Sequence, residues 1–259
     1  PAPMNDPEPV DTLTEPGSPR LRLASALRLI IDDAVAADLD NTVVAEAAEE
    51  LEAVHARLLA AAGPMKRPRG QPDIASAAQE FFPTSPVMGL ANPIAPPVIV
   101  NVVDGVDGGA REIAGQANFG YAYEGPPTCV HGGVIAETFD EVLGAACIVS
   151  GNHGMTGTLT VRYRKPTPLR TDLRIEARYL DRDGRKIRAW AGMWHDDVLT
   201  AEADGLFIDV APAQFVAIAE GNIDSADPFM LAAIRAEAAR EGAASDVQVI
   251  DPASRPKPG

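Results

Sequence analysis

His131-Gly132-Gly133 is followed by an acid, Asp140, nine residues after the histidine. The glycines open an apolar segment that predicts a helix running to about Val149. A helix start carries free backbone N–H groups and a partial positive charge, which suit a carbonyl oxygen that is becoming an anion. Glu137, Asp140 and Glu141 stand at i, i+3 and i+4 and so share one face, where three carboxylates within a turn repel one another and raise the pKa of at least one. Val134, Ile135, Phe139, Val142, Leu143, Ala146 and Val149 make the rest of the helix apolar. A carboxylate in such company is costly to bury. Together these features point to acyl transfer, and composition alone leaves open which of the three acids acts.

The elements around this helix are legible as alternation and turn signals. Leu21 to Ala62 predicts two helices broken near Asp38 to Asn41, with Leu23, Leu27 and Ile30, and then Leu51, Val54, Leu58 and Leu59, at helical spacing. Gly63-Pro64 ends the second. Pro64 to Pro97 is proline-rich and reads as a long connection draped over other structure. Val98 to Val103 and Arg111 to Phe119 read as strands around an Asp107-Gly108-Gly109 turn. After the helix, Thr156 to Arg164 alternates, with Leu159, Val161 and Tyr163 on one face. Asp172 to Leu180 follows, an Asp183-Gly184 hairpin turn leads into Arg185 to His195, and Leu199 to Val210 is the last strand, with a bulge expected at Gly205. Gln214 to Ala219 and Pro228 to Glu241 predict C-terminal helices. Such a sheet and so apolar a helix bury one another best if the sheet wraps the helix, an α+β architecture. The domain reading is a tail at 1–20, a helical extension with its connection at 21–97, a core domain at 98–211, and C-terminal helices and tail at 212–259.

Composition narrows the partners. The chain of 259 residues is 46% hydrophobic, ample for a packed core, and carries a net charge of -15. Its pI near 4.6 argues against nucleic acid and anionic membranes. The segment Leu21 to Ala62 repeats the argument locally, with three arginines against eight acids. Cys129 and Cys147 form no disulfide framework and no metal spacing, and no apolar signal core or membrane-length run is present. A cytoplasmic protein with no metal and no cofactor is expected.

The segment His131-Gly-Gly-Val-Ile-Ala-Glu-Thr-Phe-Asp140 resembles the active-site segment of hotdog-fold acyl-CoA thioesterases of the PaaI-like group. Thr156 to Pro166, Asp183 to Lys186 and Ala201 to Phe207 are similar to later strands of that family, so the resemblance covers about Val98 to Val210 in four segments in order. It implies a hotdog fold, an antiparallel sheet around a long central helix, here with extra N- and C-terminal helices. It implies hydrolysis of an acyl-CoA thioester to free acid and CoA within fatty acid metabolism. It selects Asp140 as general base or nucleophile, assigns carbonyl polarisation to the Gly132 N–H with His131 and Gly133 beside it, and places Thr156 where it holds the acid or the attacking water.

Gly132 and Asp140 lie eight residues apart, about 12 Å along one helix, whereas contact with one carbonyl needs roughly 3 Å from each. If both act on one substrate, they come from different subunits, which predicts a homo-oligomer, a dimer or tetramer, with sites at the interface. Glu141 is a candidate substrate contact beside Asp140. Arg164, Lys165, Arg185 and Lys186 are candidate contacts for the phosphates of CoA. Two rival readings are a non-catalytic acyl-CoA-binding module and a hotdog dehydratase or hydratase. The latter needs a histidine on the helix, and His131 precedes it.

Overall fold

The computed structural model describes residues 17–62, 83–96, 98–105 and 109–210. Two N-terminal helices, α1 (Pro19–Ala36) and α2 (Asn41–Ala61), precede strands β1 (Ile99–Val103) and β2 (Glu112–Ala117), a 3-10 turn (Tyr121–Tyr123), the central helix α3 (Gly132–Val149), and strands β3 (Met155–Tyr163), β4 (Leu173–Asp183), β5 (Lys186–His195) and β6 (Val198–Ile208). α1 begins two residues inside the stretch read as tail, with proline in its first turn, where the missing N–H costs nothing. The break between α1 and α2 falls where expected, and Asp40 caps α2 by accepting from the Thr42 N–H at 2.8 Å. The expected C-terminal helices and the Asp107-Gly108 part of the first turn lie outside the described residues.

The six strands form one antiparallel sheet in the order β1-β2-β4-β5-β6-β3, so β3 crosses from the end of α3 to the far edge before the chain returns to the middle with β4. α3 packs against β2, β3, β4, β5 and β6, the hotdog arrangement. Small side chains on the middle strands make this approach possible: Ala189, Ala191, Ala201 and Ala203 are buried beneath a helix that contributes Phe139, Val142 and Leu143 to the same core. At Gly205 a Cβ would stand 2.7 Å from the Phe207 ring and 3.1 Å from Leu143 Cδ1. This glycine is therefore a close-approach position under the helix. It pairs regularly with Leu159 and Ala189, which corrects the expected bulge there. The register shifts occur instead at Gly157, Leu180 and Thr200, the residues skipped in the pairing. The hairpin turn is also displaced by one residue. Asp183 still pairs with Lys186, and the two-residue loop is Gly184-Arg185, opened by a left-handed Gly184 (φ +57°).

Residues 83–96 drape over the core as a chain of turns, burying Val87, Met88 and Ala95. α1 docks by a different face from the leucine stripe read in its sequence: Leu23 and Ile30 are exposed, and the docking residues are Ala24, Arg28 and Asp32, spaced i, i+4, i+8.

Candidate active site

The start of α3 is held from two sides. His131 is the N-cap, and its Nδ1 accepts from the Gly133 N–H at 3.0 Å, which requires the neutral ring with its proton on Nε2. Its own N–H donates to the Tyr123 carbonyl at 2.9 Å, and Val130 N–H donates to the Thr167 carbonyl at 2.8 Å. On the other side the Tyr163 hydroxyl, at the end of β3, donates to the Gly132 carbonyl at 2.7 Å. The Tyr163 ring lies against Gly132 so closely that a Cβ there would stand 3.3 Å from its Cζ and hydroxyl oxygen, which accounts for glycine at this position. No acceptor among the described residues takes the Gly132 N–H, one of the orphan donors of a helix start. That donor and the positive end of the helix dipole therefore stand together at the start of α3. Tyr163 is visible in the sequence only as the last inward residue of an alternating strand, an aromatic with a hydroxyl where α3 begins.

Two turns along α3, the exposed Asp140 accepts from the Thr156 hydroxyl at 2.8 Å through Oδ1. The two residues named from sequence are thus brought together, with Oδ2 left for another partner. Glu137 is exposed. Glu141 goes elsewhere: it accepts from Ser85 Oγ at 2.6 Å, and Ser85 in turn takes the N–H groups of Val87 and Met88 at 3.1 and 3.2 Å. Burial, chiefly, pushes the Glu141 carboxyl above its ordinary range; Asp140 and Glu137 add to this and the Ser85 bond opposes it. Sequence reasoning does not find Ser85, because residues 83–96 carry no periodic signal to place them over α3.

The candidate cations divide between the two ends of the sheet. Arg164 and Lys165 follow β3 beside Tyr163, and the Arg185-Lys186 turn lies at the opposite end, where Lys186 and Met155 both pair with Ile208 of β6. Arg164 is paired with Glu202, whose carboxyl is held below the usual range by that hydrogen bond. Arg185 donates to the Asp209 carbonyl at 3.0 and 3.1 Å. Lys165 and Lys186 form no ion pair with a described residue. The Trp190 and Trp194 rings meet edge to face at 6.0 Å on the outer sheet face, under Arg178 and Arg174.

α1 braces the approach to the site. The Arg28 guanidinium donates to four carbonyls, those of Ala95 (3.0 Å), Gly89 (3.3 Å), Leu90 (2.6 Å) and Asn92 (2.9 Å), and burial lowers its pKa. Asp32 accepts from the Ala122 N–H at 3.1 Å, within the 3-10 turn whose Tyr123 carbonyl receives His131. The Tyr123 hydroxyl closes the arrangement by donating to the Ile94 carbonyl at 2.9 Å.

The thioesterase superfamily profile matches residues 128–201 of the chain. A stretch of 91 residues is 38% identical to an acyl-coenzyme A thioesterase THEM4 of Xenopus laevis, covering 34% of this chain and 41% of that protein. A stretch of 95 residues is 34% identical to the Mus musculus protein of the same name, covering 36% and 41%. The match thus spans about two fifths of the length of these relatives. The crystal structure of a thioesterase superfamily protein is similar over 74% of this chain and 96% of that one, at 33% identity and a TM-score of 0.65.

Proposed function

The chain belongs to the thioesterase superfamily, and from that premise we propose that it hydrolyses an acyl-CoA thioester to the free acid and CoA. One observation carries the reading. The unpaired Gly132 N–H, tied to β3 through Tyr163, and the Asp140–Thr156 pair stand at opposite ends of a strand whose outer edge is unpaired among the described strands. Antiparallel pairing of that edge with β3 of a second copy brings the Gly132 end of one protomer beside the Asp140 end of the other. The composite site then offers one carbonyl both groups, which a single helix cannot do.

In that site the Gly132 N–H and the positive end of α3 receive the carbonyl oxygen and stabilise it as charge develops. His131 and Gly133 hold the helix tip in shape. Thr156 fixes Oδ1 of Asp140, and Oδ2 takes a proton from water as the water oxygen bonds to the carbonyl carbon. Collapse of the tetrahedral adduct breaks the C–S bond, and the proton passes to the CoA sulfur. In the covalent variant Oδ2 itself attacks the carbonyl carbon, the C–S bond breaks to expel the CoA thiolate, and water opens the resulting anhydride to the free acid and the Asp140 carboxylate, its proton passing to the thiolate. Single turnover in oxygen-18 water separates the two, because only the anhydride route puts label into the Asp140 carboxylate.

Lys165 flanks the Gly132 end and Lys186 the Asp140 end, so one cation of each protomer borders the composite site and suits the phosphates of CoA. Arg164 and Arg185, adjacent to them, already hold partners of their own. Glu141, bonded to Ser85, shapes the pocket wall beside Asp140. The hydrolytic unit is residues 98–211, braced by α1 and residues 83–96 of the extension, and the free thiols of Cys129 and Cys147 suit a reducing cytoplasm.

The test is complementation. Gly132→Pro deletes the N–H at a first helical position whose backbone suits proline, with the exposed Tyr163 ring giving way by a few tenths of an ångström, and Asp140→Asn disables the carboxylate. Each homodimer is expected to be inactive in a thiol-release assay with a panel of acyl-CoAs. The purified mixed dimer contains one intact and one doubly disabled site and is expected to show about half the wild-type activity of a two-site dimer. Absence of recovery overturns the shared site. Saturable acyl-CoA binding by the wild type with no CoA release replaces hydrolysis with the binding-module reading.

A further inference from the structure

α2 is a helix of 21 residues that buries none of them. Six of its apolar residues nevertheless follow a 3-4 spacing, with Val43 and Leu59 outside it. Val44, Leu51 and Leu58 recur every seven residues, with Ala47, Val54 and Ala61 three places after each. Val44, Leu51 and Leu58 are 44%, 37% and 52% exposed. Glu46, Glu49 and Glu52 lie away from this stripe, while Glu50 and Arg57, one repeat of the pattern apart, flank it on the same side.

We infer that α2 pairs with α2 of a second copy of this chain as an antiparallel two-helix coiled coil. Two features of the pattern choose this occupant and this direction. The first is size. In the antiparallel register Leu51 faces the partner's Val54, Leu58 faces the partner's Ala47, and Val44 faces the partner's Ala61, so each larger side chain at one end meets a smaller one and the helix axes stay evenly close. A parallel register would stack Leu51 on itself and Ala47 on itself, alternating crowded and empty layers. The second is charge. α2 carries four glutamates and one arginine, so two copies repel unless the arginines are well used. The antiparallel register sets Glu50 against the partner's Arg57 and Arg57 against the partner's Glu50, one pair at each side of the central Leu51–Val54 layers. The three remaining glutamates stay in solvent. This contact is separate from the β3 edge and joins protomers through the N-terminal extension.

Full-length chains carrying Leu51→Cys and Val54→Cys, co-expressed with different tags and oxidised, test the direction. The mixed pair is expected to give an interchain disulfide at least about fivefold faster than either variant alone, because only 51-to-54 pairs meet disulfide geometry. The wild type, whose Cys147 is buried and Cys129 half-buried, is the blank. In the same cysteine background, Glu50→Arg or Arg57→Glu is expected to lower the crosslink yield severalfold, and the double reversal to restore it. Thioester hydrolysis, measured alongside, is expected to be unchanged in every variant, so the crosslink reads α2 independently of the hydrolytic reading. Dominant 51-to-51 crosslinking overturns the antiparallel direction. No interchain crosslink in any combination overturns self-pairing, and protection of the thiol introduced by Leu51→Cys from an alkylating reagent in that case assigns the stripe to another segment of the chain or to a different protein.

Discussion

Replacing Arg28 with methionine keeps the reach of the side chain and removes all its donors. In the folded chain this guanidinium holds the carbonyls of Ala95, Gly89, Leu90 and Asn92 at 2.6–3.3 Å. The buried Ala95 carbonyl depends on Arg28 most, because the Gly89 and Asn92 carbonyls keep the Asn92 and Ala95 N–H groups at 3.0 and 3.2 Å and water reaches the half-buried Leu90 after the change. At about 1 kcal/mol for Ala95 and about half that for each of the other three, the loss is about 2–3 kcal/mol. For a folded unit of this size that lowers Tm by roughly 5–10 °C. Arg28→Lys recovers no more than about half, because a single ammonium cannot span four acceptors that the planar fork serves together. Calorimetry gives the Tm, and limited proteolysis reports whether 83–96 is the segment released. The same segment carries Ser85 to Glu141, so its loosening is expected to raise KM for the thioester before it changes kcat. A Tm within about 2 °C of wild type, with 83–96 still protected, would show that the four bonds contribute little and refute the account of α1 as a brace.

Glu141→Gln tests the other end of that segment. A carboxyl whose folded pKa lies above its unfolded value costs stability as pH rises from the ordinary carboxylate range through the raised value, so the variant is expected to be more stable than wild type at about pH 7.5, with the difference closing towards about pH 4. Urea melts across that range check the sign, and a wild type that gains on the variant with rising pH would reverse it. Thr156→Val removes the hydroxyl that fixes Asp140 Oδ1 and is expected to lower kcat about two- to tenfold with little change in KM, measured by steady-state thiol release. Burial pushes the Cys147 thiol up to about 12, so native protein at about pH 8 is expected to yield one reactive thiol to a disulfide reagent, Cys129, and two after denaturation.

The central helix and the strands are legible because their signals are local. The oily run from Val134 to Val149 has one solution, and the alternation from Leu173 to Tyr179 has one face to bury. The His131-Gly132-Gly133 start and the face shared by Glu137, Asp140 and Glu141 are legible for the same reason, since spacing along a helix fixes geometry, whereas the choice of Asp140 among the three comes from the family resemblance. What sequence hides is whatever depends on contacts across the fold. Gly205 reads as a bulge because the apolar phase shifts there, but the glycine answers to Leu143 above it, and the skipped residues are Gly157, Leu180 and Thr200. The leucines of α1 read as its core face, whereas charged Arg28 and Asp32 dock it, because the surface they meet is bare backbone rather than side chains. Tyr163 and Ser85 act through single long-range hydrogen bonds that leave no mark on periodicity.

The bonds made by α1 also set an order of assembly. Arg28 closes onto a carbonyl 67 residues later and Asp32 onto an amide 90 residues later, so Arg28 has no seat until residues 89–95 have been made and Asp32 none until the 3-10 turn has been made and folded. Contacts of that separation form late, after the sheet has closed on its helix. During translation the N-terminal helix therefore waits with its partners still inside the ribosome. α1 docks by returning to a surface built from residues 61 to 90 positions further along the chain.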